Sequence, residues 1–360
     1  MMKQRNLLAL DLDHIIASTS PLWEELRGKR IFITGATGFI GCWLLETFVW
    51  ANRHLRLNAT ATILTRDSQR LKQRAPHLAD CGLELVVGDV RNFVFPEGEF
   101  SHIIHAATES SAELNARQPK VMFDTIVEGT RHCLDFAARS GSTKFLLTSS
   151  GAVYGKQPEK MAHVTEDFNG GPDPLDPGSA YAEGKRAAEL LCALAAKETV
   201  LKVEIARCFA FVGPYMKLDA HFAIGNFIRD HMEGVSIQVR GDGTPVRSYM
   251  YASDLMIWLW TILFRGTSCR AYNVGSEDGI SIADLARGVA ETGSARTPVE
   301  ILGKPVAGAP VARYVPNTER TRQELGLRCT VSLGAAIERT IEWNRCREAR
   351  EVGAPTGVNR

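Results

Sequence analysis

Residues 31–41 read Ile31-Phe32-Ile33-Thr34-Gly35-Ala36-Thr37-Gly38-Phe39-Ile40-Gly41. A β-favouring run ends in three glycines, and an apolar segment with helical spacing follows. Gly35 permits a tight turn at the strand end, and Gly38 lets backbone approach a pyrophosphate. Gly41 allows the helix to pack closely on the strand, and the helix N-terminus supplies free N–H groups and a positive dipole end. A glycine triplet alone fits any tight strand–helix turn. Its place at the head of an alternating pattern makes it a dinucleotide signature.

That alternation runs outward from the turn. Short apolar or β-branched runs occur at 31–34, 61–64, 83–87, 102–105, 144–148 and 203–206. Between them lie helical patterns at 39–51, 121–139 and 179–197. Strand–helix alternation, with strands apolar along their whole length, predicts an α/β fold: a Rossmann-type doubly wound parallel sheet buried on both faces. Residues 28–212 form this predicted domain, with a strand returning near 272–275 inside the stretch 252–290. Pro214, the Gly241–Pro245 turn and the Pro/Gly-rich stretch 302–316 break the alternation. They mark a smaller substrate-binding lobe over 213–251 and 291–350. Residues 1–27 read as an extension with a short helix against the main body, and 351–360 as a tail.

The chain has 360 residues, 42 Lys plus Arg against 41 Asp plus Glu, and 45% apolar residues. This is globular composition, and the charge balance argues against a nucleic-acid binder. Eight cysteines show no paired spacing, which points to reduced, mostly buried thiols in a cytoplasmic protein. The longest apolar run, Leu255–Phe264, is half the ~20 residues a bilayer needs and reads as a buried helix. No membrane partner is expected, and the nine histidines show no metal-ligand spacing.

Two further strand ends bear on the dinucleotide. Asp89 in Gly88-Asp89-Val90 either accepts from the adenine amino group or caps a turn. After the second strand, Leu64-Thr65-Arg66-Asp67 stands where an acidic residue would hold a ribose hydroxyl. Thr65 and Arg66 suit a 2′-phosphate, which favours NADP over NAD; an inward Asp67 would reverse that.

Tyr181-Ala-Glu-Gly-Lys185 puts a phenol and an ammonium on one helix face. Tyrosine titrates near ~10, and a neighbouring Lys185 cation is expected to favour the phenolate. Ser150, closing the fifth strand, could donate to the reacting oxygen. Ser150 as donor, Tyr181 as acid/base and Lys185 as tuner make a device for creating or removing a carbonyl during hydride transfer. Glu183 reads as a solvated neighbour. Glu109, after the fourth strand, stands near the expected substrate.

With these residues in place, the chain resembles the extended short-chain dehydrogenase/reductases, in particular the NAD(P)-dependent nucleotide-sugar epimerases and dehydratases. The matching stretches are TGATGFIG (34–41), GDV (88–90), HAA (105–107), TSSGAVYG (148–155), YAEGK (181–185), GP (213–214) and GDGTPVRSYMYASDL (241–255). The resemblance implies a cofactor site of Gly35, Thr37, Gly38, Phe39, Ile40, Thr65, Arg66, Asp89, Val90, Ala106, Ala107, Tyr181 and Lys185. It implies Arg247 and Asn226 on the diphosphate of a nucleotide sugar, with Glu109 and Ser150 near the sugar. Members of the family are commonly homodimers built through the helices at 121–139 and 179–197.

The departures are informative. The Asp-Glu pair of the family's 4,6-dehydratases is Gly151-Ala152 here, and sugar-acid decarboxylases carry a Glu where Ala152 stands. Both activities are therefore disfavoured against epimerisation or ketoreduction, with dehydration by a displaced carboxylate or reduction of a non-nucleotide carbonyl as alternatives. The Asn of the family's RxxNxYGP is Ala210, and that of its NxxGT helix is Ile126.

Overall fold

Ile31, Phe32 and Ile33 are all fully buried, so the first strand presents apolar side chains to both faces of its sheet. The computed structural model describes residues 6–353 except 80, 109–110, 221, 294–295 and 307. Helix α1 (Ala9–Thr19) and a 3-10 segment (Ser20–Leu26) precede β1 (Arg30–Thr34), α2 (Phe39–His54) and β2 (Thr60–Thr65). Short helices α3 (Ser68–Arg74) and α4 (Pro76–Ala79) lead to β3 (Glu84–Val87) and β4 (His102–His105). Then come α5 (Ala112–Arg117), α6 (Pro119–Arg139), β5 (Lys144–Ser150), α7 (Ala180–Glu198) and β6 (Lys202–Cys208).

The rest of the chain is more irregular. It comprises β7 (Phe211–Val212), α8 (Ala223–Met232), β8 (Ile237–Val239), β9 (Val246–Arg247), β10 (Met250–Tyr251) and α9 (Ala252–Arg265). Next are β11 (Ala271–Val274), β12 (Ile280–Ser281), α10 (Ile282–Ala290), β13 (Val299–Ile301) and β14 (Arg313–Tyr314). Helices α11 (Glu319–Leu325) and α12 (Leu333–Gly353) close the described chain.

Seven strands form one parallel sheet in the order β11-β6-β5-β4-β1-β2-β3. The order reverses between β1 and β4, and in such sheets the crevice beyond the strand C-termini at that point takes the ligand. One face is covered by α6 and α7, whose Ile126, Cys133, Phe136, Ala188 and Cys192 join Phe32, Phe145 and Val203. The other carries α2 and α9. Every residue of α9 from Ala252 to Phe264 is buried, which explains the unbroken apolar run; each such large side chain stabilises the fold by roughly 1.5–3 kcal/mol.

The N-terminal extension forms part of this core. Leu8, Leu12, Ile15, Trp23 and Leu26 are buried against α9, with the Trp23 and Trp260 rings 4.5 Å apart. Asp11, itself buried, accepts from the Tyr251 hydroxyl at 2.7 Å and from Arg339 Nη1 at 2.6 Å. A separate apolar cluster joins α8, β8, α10 and α12. Among the described residues no helix is long and apolar enough to cross a membrane. All eight cysteines are free, and Cys81, Cys269 and Cys329 are exposed, where burial was expected for most.

Candidate active site

The glycine turn is fixed by sterics. Gly35 has φ +70°, and a Cβ there would lie 2.4 Å from the Ala106 carbonyl oxygen and 2.7 Å from the Ala107 nitrogen. A Cβ on Gly41 would meet the Gly35 carbonyl at 2.2 Å, so the start of α2 can approach the turn only without a side chain. Gly38 is exposed and has nothing nearer than 3.3 Å, which leaves its backbone face open. Thr37, Phe39 and Ile40 lie half-buried beside it, and the first N–H groups of α2 lack intrahelical acceptors. This cradle fits a pyrophosphate.

His105 braces the cradle from below. Its ring nitrogens pair with Thr34 Oγ1 (2.9 Å) and Thr130 Oγ1 (3.1 Å), and Thr34 Oγ1 accepts from the Ala107 N–H (3.1 Å). Burial, helped by the Lys185 charge, pushes His105 down to about 3, so it is a neutral structural ring. Val90 is buried, and its Cγ1 lies 2.8 Å from the place a Cβ on Gly129 would take.

At the end of β2, Asp67 does not turn inward. Its carboxylate caps α3 by accepting from the Gln69 N–H at 2.8 Å, and Thr65 Oγ1 donates to the Asp67 carbonyl at 2.8 Å. Arg66 is exposed, and its charge, after that of Arg91, helps hold the Asp89 carboxyl below the usual range. Asp89 accepts from Arg91 Nε (2.8 Å) and Nη2 (3.0 Å), and also from the Arg91 N–H (3.0 Å).

The phenol and ammonium come from the first turns of α7. Asn115, which the sequence did not single out, anchors that start: it accepts from the Tyr181 N–H at 3.0 Å and donates to the Gly178 carbonyl at 2.7 Å. A Cβ on Gly184 would meet Ile126 at 3.1 Å, so the loss of the family's Asn at 126 is a change in helix packing. Ser150 sits where β5 ends, accepting from the Ala152 N–H (3.1 Å), with its hydroxyl on the side of the Tyr181 phenol, whose charged form it favours. Behind it Ser149 donates to Glu189 (2.5 Å), which is held by Arg207 through two bonds of 3.0 and 2.7 Å.

Lys185 is buried and donates to Thr108 Oγ1 (2.9 Å) and the Thr148 carbonyl (2.7 Å); burial brings it down to about 8. The expected tuning of the phenol differs here. Burial pushes Tyr181 up and Ser150 counters this only in part, while Lys185 gives its donors to β5 and the segment after β4. Glu183 faces Arg186 at 3.5 Å, and Glu109 lies outside the described residues.

Arg247 lies in β9, donating to the Val246 carbonyl at 2.9 Å, and its ladder partner in β14 is Tyr314. Asn226 occupies the first turn of α8, where its carbonyl accepts from Arg229 at 3.4 Å. Tyr314, another residue the sequence did not flag, reaches the reaction centre: its hydroxyl stands beside Gly151, 3.5 Å from the Cys208 carbonyl. Phe209 closes the same space, so the position of the family's acidic pair is lined by two aromatic rings.

Residues 31–275, from the glycine cradle through the Ser150/Tyr181/Lys185 group to the returning strand, match the model of the NAD dependent epimerase/dehydratase family. The chain belongs to that family. It is 31% identical over 263 residues to UDP-glucuronic acid decarboxylase 6 of Arabidopsis thaliana, covering 73% of this chain and 74% of that protein. It is 28% identical over 321 residues to UDP-glucuronic acid decarboxylase 1 of Danio rerio, covering 89% and 73%. Among solved structures, the Streptomyces venezuelae dTDP-glucose 4,6-dehydratase DesIV, described with NAD and TYD bound, superposes with a TM-score of 0.73. It is 25% identical, and the match covers 89% of this chain and 98% of DesIV. As a family member this protein is an NAD-dependent enzyme type with the extended short-chain dehydrogenase/reductase fold.

Proposed function

We propose that this protein modifies a nucleotide-diphosphate sugar by reversible hydride transfer at a sugar carbon, C4, working as an epimerase or ketoreductase. The observation that carries the reading is the convergence of Ser150, Tyr181 and Lys185 beside the glycine cradle. In the oxidative direction Tyr181 accepts the proton of the sugar hydroxyl, and in the reductive direction it returns one to the ketone oxygen. Ser150 donates to the same oxygen. Lys185, kept cationic below about pH 8, holds the Thr148 carbonyl at the end of β5 and sets positive charge under the centre. A bound nicotinamide dinucleotide supplies the hydride acceptor or donor. Arg247, the ladder partner of Tyr314, would take the diphosphate, with Asn226 as a second ligand.

Asp67 is committed to capping α3, which leaves Thr65 and Arg66 at the ribose position and supports NADP(H) over NAD(H). Gly151 and Ala152 leave no carboxylate where the family's dehydratases and decarboxylases carry theirs, which supports epimerisation or ketoreduction over either. Val121, Phe123, Leu190 and Leu194 leave apolar surface on α6 and α7, which supports a homodimer through that face.

The test incubates the protein with UDP-, dTDP-, CDP- and GDP-sugars, including UDP-glucuronate, and either cofactor. Isomer formation without net change at about 340 nm supports epimerisation, and cofactor consumption supports ketoreduction. Carbon dioxide release from UDP-glucuronate would overturn both. Tyr181→Phe should abolish turnover while leaving dinucleotide affinity intact, and surviving turnover would remove Tyr181 from its role.

A further inference from the structure

The helix that carries Tyr181 is not capped by the residue that opens it. Ser179, at the N-cap of α7, makes no side-chain cap bond, and the first N–H groups of a helix have no acceptor within it. The acceptor comes from a distant helix. Asn115 of α5, 66 positions earlier, takes the Tyr181 N–H on its Oδ1 at 3.0 Å. Tyr181 is the second residue of α7, one of the two places a side-chain cap ordinarily serves. The Nδ2 of the same amide donates to the Gly178 carbonyl at 2.7 Å, and Asp176 Oδ1 holds the Gly178 N–H at 2.8 Å. A backbone N–H on one side and a carbonyl on the other fix which end of the Asn115 amide is oxygen. One side chain thus ties the 3-10 turn Pro177–Ser179 to the first turn of the helix that follows it.

Helix α5 is itself held. Ser111 caps it by accepting from the Leu114 N–H at 3.1 Å, and Leu114 packs on the same apolar cluster as Tyr181. The chain that leads from β4 to α5 begins with Ala106 and Ala107, whose backbone closes over Gly35. Thr108 comes next, and its hydroxyl takes the Lys185 ammonium at 2.9 Å. This one connection therefore touches the glycine turn, the ammonium and the backbone of the residue that bears the phenol.

We propose that Asn115 is a positioning residue of the reaction centre: as a cap lent by α5 it fixes the first turn of α7, and with it the Tyr181 phenol, relative to the glycine cradle. The proposal rests on Tyr181 being the acid/base. It gives Asn115 no contact with substrate or dinucleotide.

The test uses the full-length protein and requires no substrate. Amide hydrogen exchange is followed by NMR in wild type, Asn115→Ala and Asn115→Asp. Asn115→Ala should quicken exchange at Tyr181 about fivefold, the equivalent of a typical cap bond, and leave the later turns of α7 as they were. Asn115→Asp keeps the acceptor and gives up the donation to Gly178, so exchange at Tyr181 should stay close to wild type. The phenol is read separately, with 3-fluorotyrosine at the seven tyrosines and fluorine NMR; the Tyr181 signal is the one lost in Tyr181→Phe. Burial raises this phenol, so a loosened first turn should lower its midpoint in Asn115→Ala by about half a pH unit, or threefold more phenolate. Asn115→Asp should not lower it. A Tyr181 amide as slow in Asn115→Ala as in wild type overturns the proposal, and so does a phenol midpoint that fails to fall. A midpoint that falls as far in Asn115→Asp overturns it as well. Exchange that quickens evenly along the whole of α7 does the same, because Asn115 would then serve the fold and not the phenol. Failure of the acid/base reading shows separately, as turnover that survives Tyr181→Phe.

Discussion

Lys185 can be replaced by methionine with a calculable effect on stability. The residue is only 3% exposed, and burial brings its ammonium from 10.5 to about 8. At about 1.36 kcal/mol per pH unit, holding the charged form inside costs roughly 3 kcal/mol at neutral pH. Methionine removes that cost but gives up the bonds to Thr108 Oγ1 and the Thr148 carbonyl, about 1 kcal/mol each. Lys185→Met should therefore be inactive and more stable by about 1 kcal/mol at pH 7. The pH dependence carries the sharper test. Between about 8 and 10.5 the unfolded chain binds the lysine proton and the folded chain does not, so wild-type stability rises with pH through that window. The advantage of the variant should shrink above pH 8, vanish near pH 9 and become a deficit of about 2 kcal/mol by 10.5, where wild type keeps a neutral amine with both bonds. Paired urea denaturation curves from pH 6 to 10.5 measure this. A variant less stable at pH 7, or a gap that stays constant with pH, would refute the argument.

Glu204 gives the opposite slope. It is fully buried in β6, neither carboxyl oxygen has a hydrogen-bond partner, and burial raises it to about 8. The folded state then binds the extra proton between 4.5 and about 8, so stability falls as pH rises through that window. Glu204→Leu should flatten the slope and gain about 2–3 kcal/mol at pH 7, read from the same denaturation curves. The glycines should separate by function. Gly41→Ala, with its Cβ driven into the Gly35 carbonyl, should lower the melting temperature by several degrees, whereas Gly38→Ala should fold normally and lose dinucleotide affinity in calorimetry. Arg247→Ala should raise the Michaelis constant for a UDP-sugar about tenfold or more with little change in kcat; an unchanged constant would move the diphosphate elsewhere.

The sheet was legible because its strands are buried on both faces and read as unbroken apolar runs, from Ile31–Ile33 to Phe145–Leu147. The glycine turn was legible because its three positions answer to local sterics. What escaped were contacts made across long separations. Tyr314 comes from a Pro/Gly-rich segment with no periodicity, and nothing nearby in sequence points it at Gly151. Asn115 looks like any polar residue of a short helix until its bonds to Gly178 and Tyr181 are seen. Asp67 was open in sequence to turning inward, and its cap on α3 through the Gln69 N–H shows only in the structure. The Tyr181–Lys185 spacing placed both groups on one face, but the donors of Lys185 are drawn to Thr108 and Thr148, so burial and Ser150 govern the phenol.

The α1 segment acts as a keystone. Asp11 locks it to the start of α9 through Tyr251 and to α12 through Arg339, so one carboxylate on the leader fastens the end of the chain to its beginning. Trimming the protein back to its first strand would uncover the Trp260 side of α9 and loosen the terminal helix in the same stroke. Attempts to shorten or tag this enzyme at its front end should treat those residues as interior masonry.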